Sequence, residues 1–147
     1  MFVHWEPNYE VGNTLVDSEH RILMMLCRKL DFAIKTDQTQ VAIQNIILEM
    51  RSFTEFHFLS EETLMREISY PDRQAHADQH ADLLIQLDTI VRKVLIKRVP
   101  EKDALSFLHS WLLGHIQFAD RRLGAFIQTS VSRPIGEKFY NHFLVQR

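Results

Sequence analysis

Apolar residues recur at intervals of three and four along most of the chain, a spacing that places them on one face of an α-helix. Short polar or proline-containing segments divide this pattern into four stretches. The stretches predict helices from an Asp17 cap to about residue 36, from about 40 to 67, from an Asp72 cap to near Arg98, and from about 101 to 128. Because connections this short favour antiparallel neighbours, we predict an all-α fold: an antiparallel up-down-up-down four-helix bundle.

The apolar positions of these helices predict which side chains fill the core of the bundle. Methionines within the stretches are expected to pack there as well, because their unbranched side chains fill irregular gaps. The expected core includes Ile22, Leu23, Met25, Leu30, Val41, Ile47, Phe56, Leu87 and Leu95.

The length of 147 residues fits one domain with a core large enough to fold without disulfides. Within it we expect an N-terminal arm (1–16), the bundle (17–128) and a C-terminal tail (129–147). The tail contains "PIGEKFYNHFLVQR" and has two open interpretations. It forms one more short helix against the bundle, or it leads into a covalently linked output domain outside this sequence.

Charge and composition argue against several partners. A net charge of −2 and a pI near 6.4 provide no field that would attract nucleic acid or an anionic membrane. The longest apolar run, residues 22–27, is far shorter than the ~20 residues that span a bilayer. The single cysteine, Cys27, fits a reducing compartment, and the N-terminus has acidic residues and proline where a signal peptide is apolar. We therefore expect a cytoplasmic protein.

Histidines and carboxylates form a suggestive set on the predicted helices. His76 and His80 are four residues apart, as are His57 and Glu61, so each pair shares a helix face. A single pair of this kind is usually a surface feature or a satisfied core group. The complete set adds three more residues in largely apolar surroundings, and seven such side chains buried without partners would be costly to desolvate; the three are His20, His115 and Asp120.

Metal binding removes that desolvation cost. Imidazole and carboxylate donors without thiolate suit iron, manganese or zinc, and seven side chains exceed what one four-coordinate zinc ion uses. Two metal ions are therefore implied. If both carboxylates and one solvent-derived oxygen bridge the ions, the ion with three histidines has six ligands. Its neighbour with two histidines has five and keeps one open position for a small molecule.

The spacing of His115 and Asp120 conflicts with a regular helix. At about 100° per residue, positions five apart point about 140° away from each other. If both side chains reach one centre, the helix between residues 115 and 120 must be distorted. We predict a π-type bulge there, a feature often found at functional sites.

Four segments together resemble the haemerythrin family, and in particular its bacterial members. They are "VDSEH" (16–20), "HFLSEETLM" (57–65), "YPDRQAHADQH" (70–80) and "WLLGHIQFAD" (111–120), in the family's order and spacing. The resemblance implies two iron ions joined by an oxo or hydroxo bridge. By it, His76, His80 and His115 hold the closed iron, His20 and His57 hold the open iron, and Glu61 and Asp120 bridge them.

The function implied by the resemblance is reversible dioxygen binding without net chemistry, in a carrier, a store or the input domain of a sensor. The same resemblance places Leu23, Phe58, Trp111 and Ile116 around the dioxygen. Two departures stand out. Many relatives have Gln at the position of Glu19, which caps the helix or points to solvent and carries no firm conclusion. Ala119 is smaller than the bulky aliphatic residue expected there, so we expect a roomier pocket around the open iron and faster autoxidation.

Several alternative functions compete with dioxygen binding. A di-iron peroxidase, or an enzyme that removes nitric oxide or peroxide, is the main one. Ferritin-like oxidases need Glu-x-x-His on two helices, and zinc hydrolases need His-Glu-x-x-His; this sequence has neither motif. The remaining histidines match no ligand position of the family: His4, His109 and His142.

Overall fold

The computed structural model describes residues 4–97 and 100–129, most of which are helical. A short 3-10 turn, Pro7–Tyr9, precedes the first helix. A π-helical turn, Ile116–Asp120, joins the last two helices into one continuous rod. The helices are α1 (Thr14–Lys35), α2 (Gln40–Glu67), α3 (Arg73–Leu95), α4 (Glu101–His115) and α5 (Arg121–Thr129).

The bundle thus consists of four rods, namely α1, α2, α3 and the rod made of α4, the π turn and α5. Each rod packs against the next, and α4 packs against α1 to complete the ring. The tight connections make sequential neighbours antiparallel, so the predicted all-α, up-down-up-down four-helix bundle is confirmed. Aliphatic side chains fill its core, and full burial of each contributes roughly 1.5–3 kcal/mol. They include Leu30, Ile47, Leu87 and Leu108.

Several residues expected in the core lie at the surface instead. Ile22 shows the reason: it follows His20 by two positions, about 200° round the helix, and His20 is fully buried. A stripe predicted from apolar spacing includes every apolar residue near the inward side of the helix. The side that is actually buried against the other helices is narrower than that stripe. The expectation was wrong for Ile22, Met25, Val41, Phe56 and Leu95, which are 38–65% exposed.

The first helix begins earlier than predicted, and its cap is a different residue. Asn13 is the N-cap, and its side-chain oxygen accepts a hydrogen bond from the Val16 amide at 3.0 Å. Asp17 lies inside the helix. Its carboxylate accepts from the backbone amides of Val11 (2.8 Å) and Gly12 (3.1 Å), so it ties the arm to the helix rather than starting the helix.

The other boundaries lie close to the predicted ones. Asp72 occupies the N-cap position of α3, but its side chain makes no capping hydrogen bond and accepts from Arg122 at 3.0 Å instead. α3 ends at Leu95, and Arg98, where the end was predicted, lies outside the described residues. So does the tail from residue 130 onward. Within the parts of the chain that are described, no helix combines the length and apolarity needed to span a membrane.

Candidate metal centre

Seven buried polar side chains converge inside the bundle, and every rod contributes to the cluster. α1 supplies one histidine, α2 a histidine and a glutamate, α3 two histidines, and the fourth rod a histidine and an aspartate. None of them is more than 8% exposed. They are the residues singled out from the sequence: His20, His57, Glu61, His76, His80, His115 and Asp120.

The π turn brings His115 and Asp120 to the same point. His115 ends α4, and Asp120 ends the π-helical turn that follows it. A π turn closes with hydrogen bonds between residues five apart, so it brings positions five apart toward one side of the rod. Asp120 Oδ1 consequently lies 3.0 Å from His115 Nε2. The predicted distortion between residues 115 and 120 is confirmed.

The side chains form two groups that share both carboxylates. The first holds His20 and His57, and the second holds His76, His80 and His115; Glu61 and Asp120 belong to both. In each group one ligand atom from every residue lies within 4.8 Å of all the others. We refer to these as the two-histidine half and the three-histidine half.

Each carboxylate divides its two oxygens between the halves. Glu61 Oε1 faces His57 Nε2 at 3.2 Å, whereas its Oε2 faces His80 Nε2 at 3.1 Å and His76 Nε2 at 3.3 Å. Asp120 repeats the arrangement: Oδ2 is 2.8 Å from His20 Nε2, and Oδ1 is 3.1 Å from His76 Nε2. A carboxylate placed in this way can join two cations, one in each half.

The spacing of the donor atoms suits metal coordination. Donors about 2.1 Å from one ion and at right angles to each other lie about 3 Å apart. His80 Nε2 and His115 Nε2 are 3.0 Å apart, and the nitrogen–oxygen contacts of the cluster span 2.8–3.5 Å. Two imidazole nitrogens at that distance need a cation between them or a shared proton, because both lone pairs face the same space.

Many buried atoms of the cluster make no hydrogen bond despite these short contacts. Both oxygens of Glu61 and of Asp120 are in this position, as is Nε2 of His20, His57 and His76. Leaving one buried polar group unsatisfied costs about 1–3 kcal/mol. So many inward-facing orphans in one place fit a group that binds to all of them at once, and bound cations fit that description.

The electrostatics of the cluster agree with this. Burial alone would lower the pKa of His57, but the Glu61 and Glu19 carboxylates raise it to about 10. Burial would also lower the pKa of His76, but the Asp120 and Glu61 carboxylates raise it to about 9. Burial would raise the pKa of Glu61, yet the histidines lower it well below the usual value. The cavity strongly favours positive charge, and metal ions compete there with protons.

Two further carboxylates contact the outward sides of the rings, and the sequence reasoning did not assign a role to either. Glu19 Oε2 lies 3.2 Å from His57 Nδ1, and Glu62 Oε1 lies 3.0 Å from His80 Nδ1. A signal for Glu19 was available, since it shares a helix face with Val16 and Leu23, three residues before and four after it. Its burial follows from that position.

The residues expected around dioxygen lie in the core and along a groove at its edge, and the rings of Phe58 and Trp111 are 6.0 Å apart between centroids. Phe58 is buried and stacks on the His80 ring at 3.9 Å between centroids, while Leu23 and Ile116 are buried in the core. Trp111 and Ala119 instead line a groove of about 320 Å³ beside His115. The rest of its lining mixes polar and apolar residues and comes mainly from α3: Gln79, Asp82, Leu83, Gln86, Ser110, Gly114 and Phe118. Whether the five form one dioxygen pocket stays a prediction.

Two histidines without a ligand assignment are among the described residues, and both lie apart from the cluster. His4 Nε2 is 3.2 Å from Glu6 Oε1 in the arm. His109 is half-buried on α4, and burial, together with the nearby His4, lowers its pKa. His142 lies beyond the described part of the chain.

A helical bundle with a buried histidine–carboxylate cluster of this kind defines a class of metal-binding proteins. The family model of the hemerythrin HHE cation binding domain matches residues 11–127. The chain therefore belongs to the haemerythrin family.

Individual relatives agree with the family match. A bacteriohemerythrin of Clostridium acetobutylicum is 29% identical over 133 residues, covering 82% of this chain and 97% of the relative. One from Stenotrophomonas maltophilia is 30% identical over 129 residues, covering 80% and 76%. A hemerythrin-like protein of Naegleria gruberi is 24% identical over 119 residues, covering 81% and 88%.

Proposed function

We propose that this chain binds dioxygen reversibly at a centre of two iron ions. His76, His80 and His115 would hold one ion, His20 and His57 would hold the other, and Glu61 and Asp120 would offer a donor to each. The observation that carries the proposal is the division of each carboxylate's oxygens between the two halves of the cluster. The three-histidine half would offer its ion one imidazole more than the two-histidine half, so the ion in the two-histidine half would have room for a small molecule.

When bound, a pair of ferrous ions supplies the electrons that reversible dioxygen binding requires. The protein's part is to hold the donors and to keep water away. Phe58 stacks on His80 and fixes the plane of that ring. Leu23, three residues after His20 on α1, is only 2% exposed. Leu23, Phe58 and Ile116 offer no acid or base that could deliver a proton for cleavage of the O–O bond. That favours binding over turnover.

The groove beside His115 supports a second candidate function. It has polar residues such as Gln79, Asp82 and Ser110, so water and small polar molecules reach one edge of the cluster. A di-iron peroxidase, or an enzyme that removes peroxide or nitric oxide, needs access of this kind. Haemerythrins are generally oxygen-binding proteins, and we therefore place the enzyme second.

The test is reconstitution with ferrous iron in the absence of air. We expect about two irons per chain, a new visible absorption band when air is admitted, and loss of that band under vacuum. Rapid consumption of hydrogen peroxide with a reductant, without a reversible band, would favour the enzyme. Protein that holds no iron under these conditions would contradict both.

Matched histidine variants of the same rod sharpen this test. His115→Ala removes a donor of the three-histidine half, whereas His109→Ala changes a histidine six residues earlier that lies outside the cluster. We expect His115→Ala to lower iron content and abolish the reversible band. His109→Ala should keep both.

We further propose that residues 1–147 form one haemerythrin-like domain and that it acts as a carrier, a store or the oxygen-sensing input of a larger protein. These roles share the same chemistry at the cluster. The length of the native gene product separates a sensor input from the other two roles, because a sensor input is followed by an output domain.

A further inference from the structure

Each half of the cluster has one histidine backed by a carboxylate. The Nδ1 nitrogens of His57 and His80 face Glu19 and Glu62, at 3.2 and 3.0 Å. A carboxylate accepts but cannot donate, so the proton on each ring lies on Nδ1 and the Nε2 lone pair points toward the cluster. Such outer partners fix the orientation of a ligating ring and increase its basicity.

The two carboxylates differ in burial. The side chain of Glu19, beside His20 on α1, is 7% exposed, whereas the side chain of Glu62 is 29% exposed. Water screens the charge of Glu62, but screening at Glu19 is weak because the surroundings are of low dielectric. The rings of His20 and His57 are 4.8 Å apart, so the charge of Glu19 acts on the two-histidine half as a whole.

We propose that Glu19 is a positioning residue that fixes the tautomer of His57 and lowers the reduction potential of the metal ion that His57 binds. The inference rests on the proposed function, since it assigns a metal to the two-histidine half. A buried negative charge stabilises the ferric ion more than the ferrous ion, because the ferric ion carries one more positive charge. Glu62 acts on His80 in the same way but more weakly.

Two substitutions separate the charge of Glu19 from its hydrogen bond. Glu19→Gln keeps an oxygen that accepts from His57 Nδ1 and removes the charge, and Glu19→Leu removes both. In iron-reconstituted protein we expect Glu19→Gln to raise the midpoint potential. A tenfold change in the ferric-to-ferrous ratio corresponds to ~59 mV for one electron, and we expect a shift of that order.

Matched controls test the role of burial. Glu62→Gln makes the same chemical change beside His80 and should shift the potential less. Glu49→Gln removes a carboxylate that pairs with Lys29 at the surface, 2.7 Å away, and should leave the potential unchanged. An unchanged potential in Glu19→Gln, or an equal or larger shift in Glu62→Gln, would overturn the proposal.

Zinc affinity gives a second readout that needs neither iron nor dioxygen. Loss of an outer partner typically costs 10–100-fold in metal affinity, so we expect Glu19→Leu to bind Zn²⁺ roughly that much more weakly, and Glu19→Gln to lose less. Unchanged Zn²⁺ affinity in Glu19→Leu would also overturn the proposal. Suppose that the parent protein holds two irons but does not bind dioxygen reversibly, while the variants show the shifts expected of them. The inference then stands and the proposed function falls.

Discussion

The two halves of the cluster differ in their contact with solvent. His20 and His57, on α1 and α2, are both 0% exposed. The three-histidine half lies between α3 and the fourth rod, where His115 is 8% exposed and borders the groove. On our proposal the better-shielded half is the one with the open coordination position.

This difference separates reactivity from access. A dry position at the two-histidine half suits a small apolar molecule such as dioxygen, which needs no hydrated path. Water and anions, which promote irreversible oxidation, would meet the three-histidine half first, because that half borders the groove. We therefore expect substitutions to differ in how strongly they affect metal binding and oxidation. The effect should depend on whether they change a shared carboxylate, a histidine of one half or the groove.

The largest effect is expected from a shared carboxylate. Glu61→Ala removes one donor from each half of the cluster. The histidines of both halves then lose a carboxylate that they share. Because α2 is a regular helix there, alanine maintains the helix. We expect metal content, measured by elemental analysis after iron reconstitution, to fall from about two ions per chain to below one.

The matched control for that substitution is Glu67→Ala. Glu67 is an exposed carboxylate at the end of the same helix, and its removal should leave both ions in place. If Glu61→Ala retained two ions while Glu67→Ala behaved normally, the carboxylate would not bridge the two halves.

A smaller and asymmetric effect is expected from single histidines. His20→Ala leaves the two-histidine half with one imidazole, whereas His76→Ala leaves the other half with two. We therefore expect His20→Ala to release one ion readily and His76→Ala to retain more than one per chain on average. Competition with a chelator measures the difference. Equal loss from both variants would remove the asymmetry on which the comparison rests.

Protonation gives both halves the same pH dependence. The pKa of His57 is raised to about 10 and that of His76 to about 9 because nearby carboxylates outweigh burial. Unfolded histidine titrates near pH ~6.5, so this stabilisation is complete below that pH and disappears as the pH rises through the folded values. The lowered pKa of Glu61 acts oppositely and removes stability only in acid.

Thermal unfolding measures this effect. In chelator-treated protein we expect Tm to fall above about pH 6.5, by about 4 °C for each kcal/mol lost in a chain of this size. Metal binding needs neutral imidazole, so protein loaded with Zn²⁺ should gain Tm over the same range relative to the chelator-treated sample. A Tm that rises with pH above about 6.5 after chelation would contradict the pKa assignments.

Sequence patterns located the helices and the inward polar residues because both follow from helical spacing. The same geometry that places His76 and His80 on one face required a distortion between His115 and Asp120, and the π turn supplies it. Local preference did not predict which side chain starts α1. Asn13 and Asp17 both suit an N-cap, and contacts of Asp17 with the arm decided between them.

What the sequence could not provide was the environment of each polar group. Glu19 and Glu62 are both glutamates adjacent in sequence to a predicted ligand. Glu19 is nevertheless buried against His57, whereas Glu62 is partly exposed beside His80. Ile22 and Met25 likewise fit an apolar stripe but face outward. These distinctions depend on how the four rods rotate against each other, which packing across the bundle determines.

The smallest effect is expected at the groove. Ala119→Ile adds bulk beside His115, and Gly114→Ala adds a methyl group that meets no atom within 4 Å, so both should narrow the groove without unfolding the protein. We expect each to slow autoxidation of the oxygenated protein a few-fold, because less water and anion reach the cluster. Ala125→Ile, at an exposed position on α5, is the control and should leave the rate unchanged. If Ala119→Ile and Gly114→Ala also left it unchanged, solvent would reach the metals by another path, and the three-histidine half would not be the exposed one.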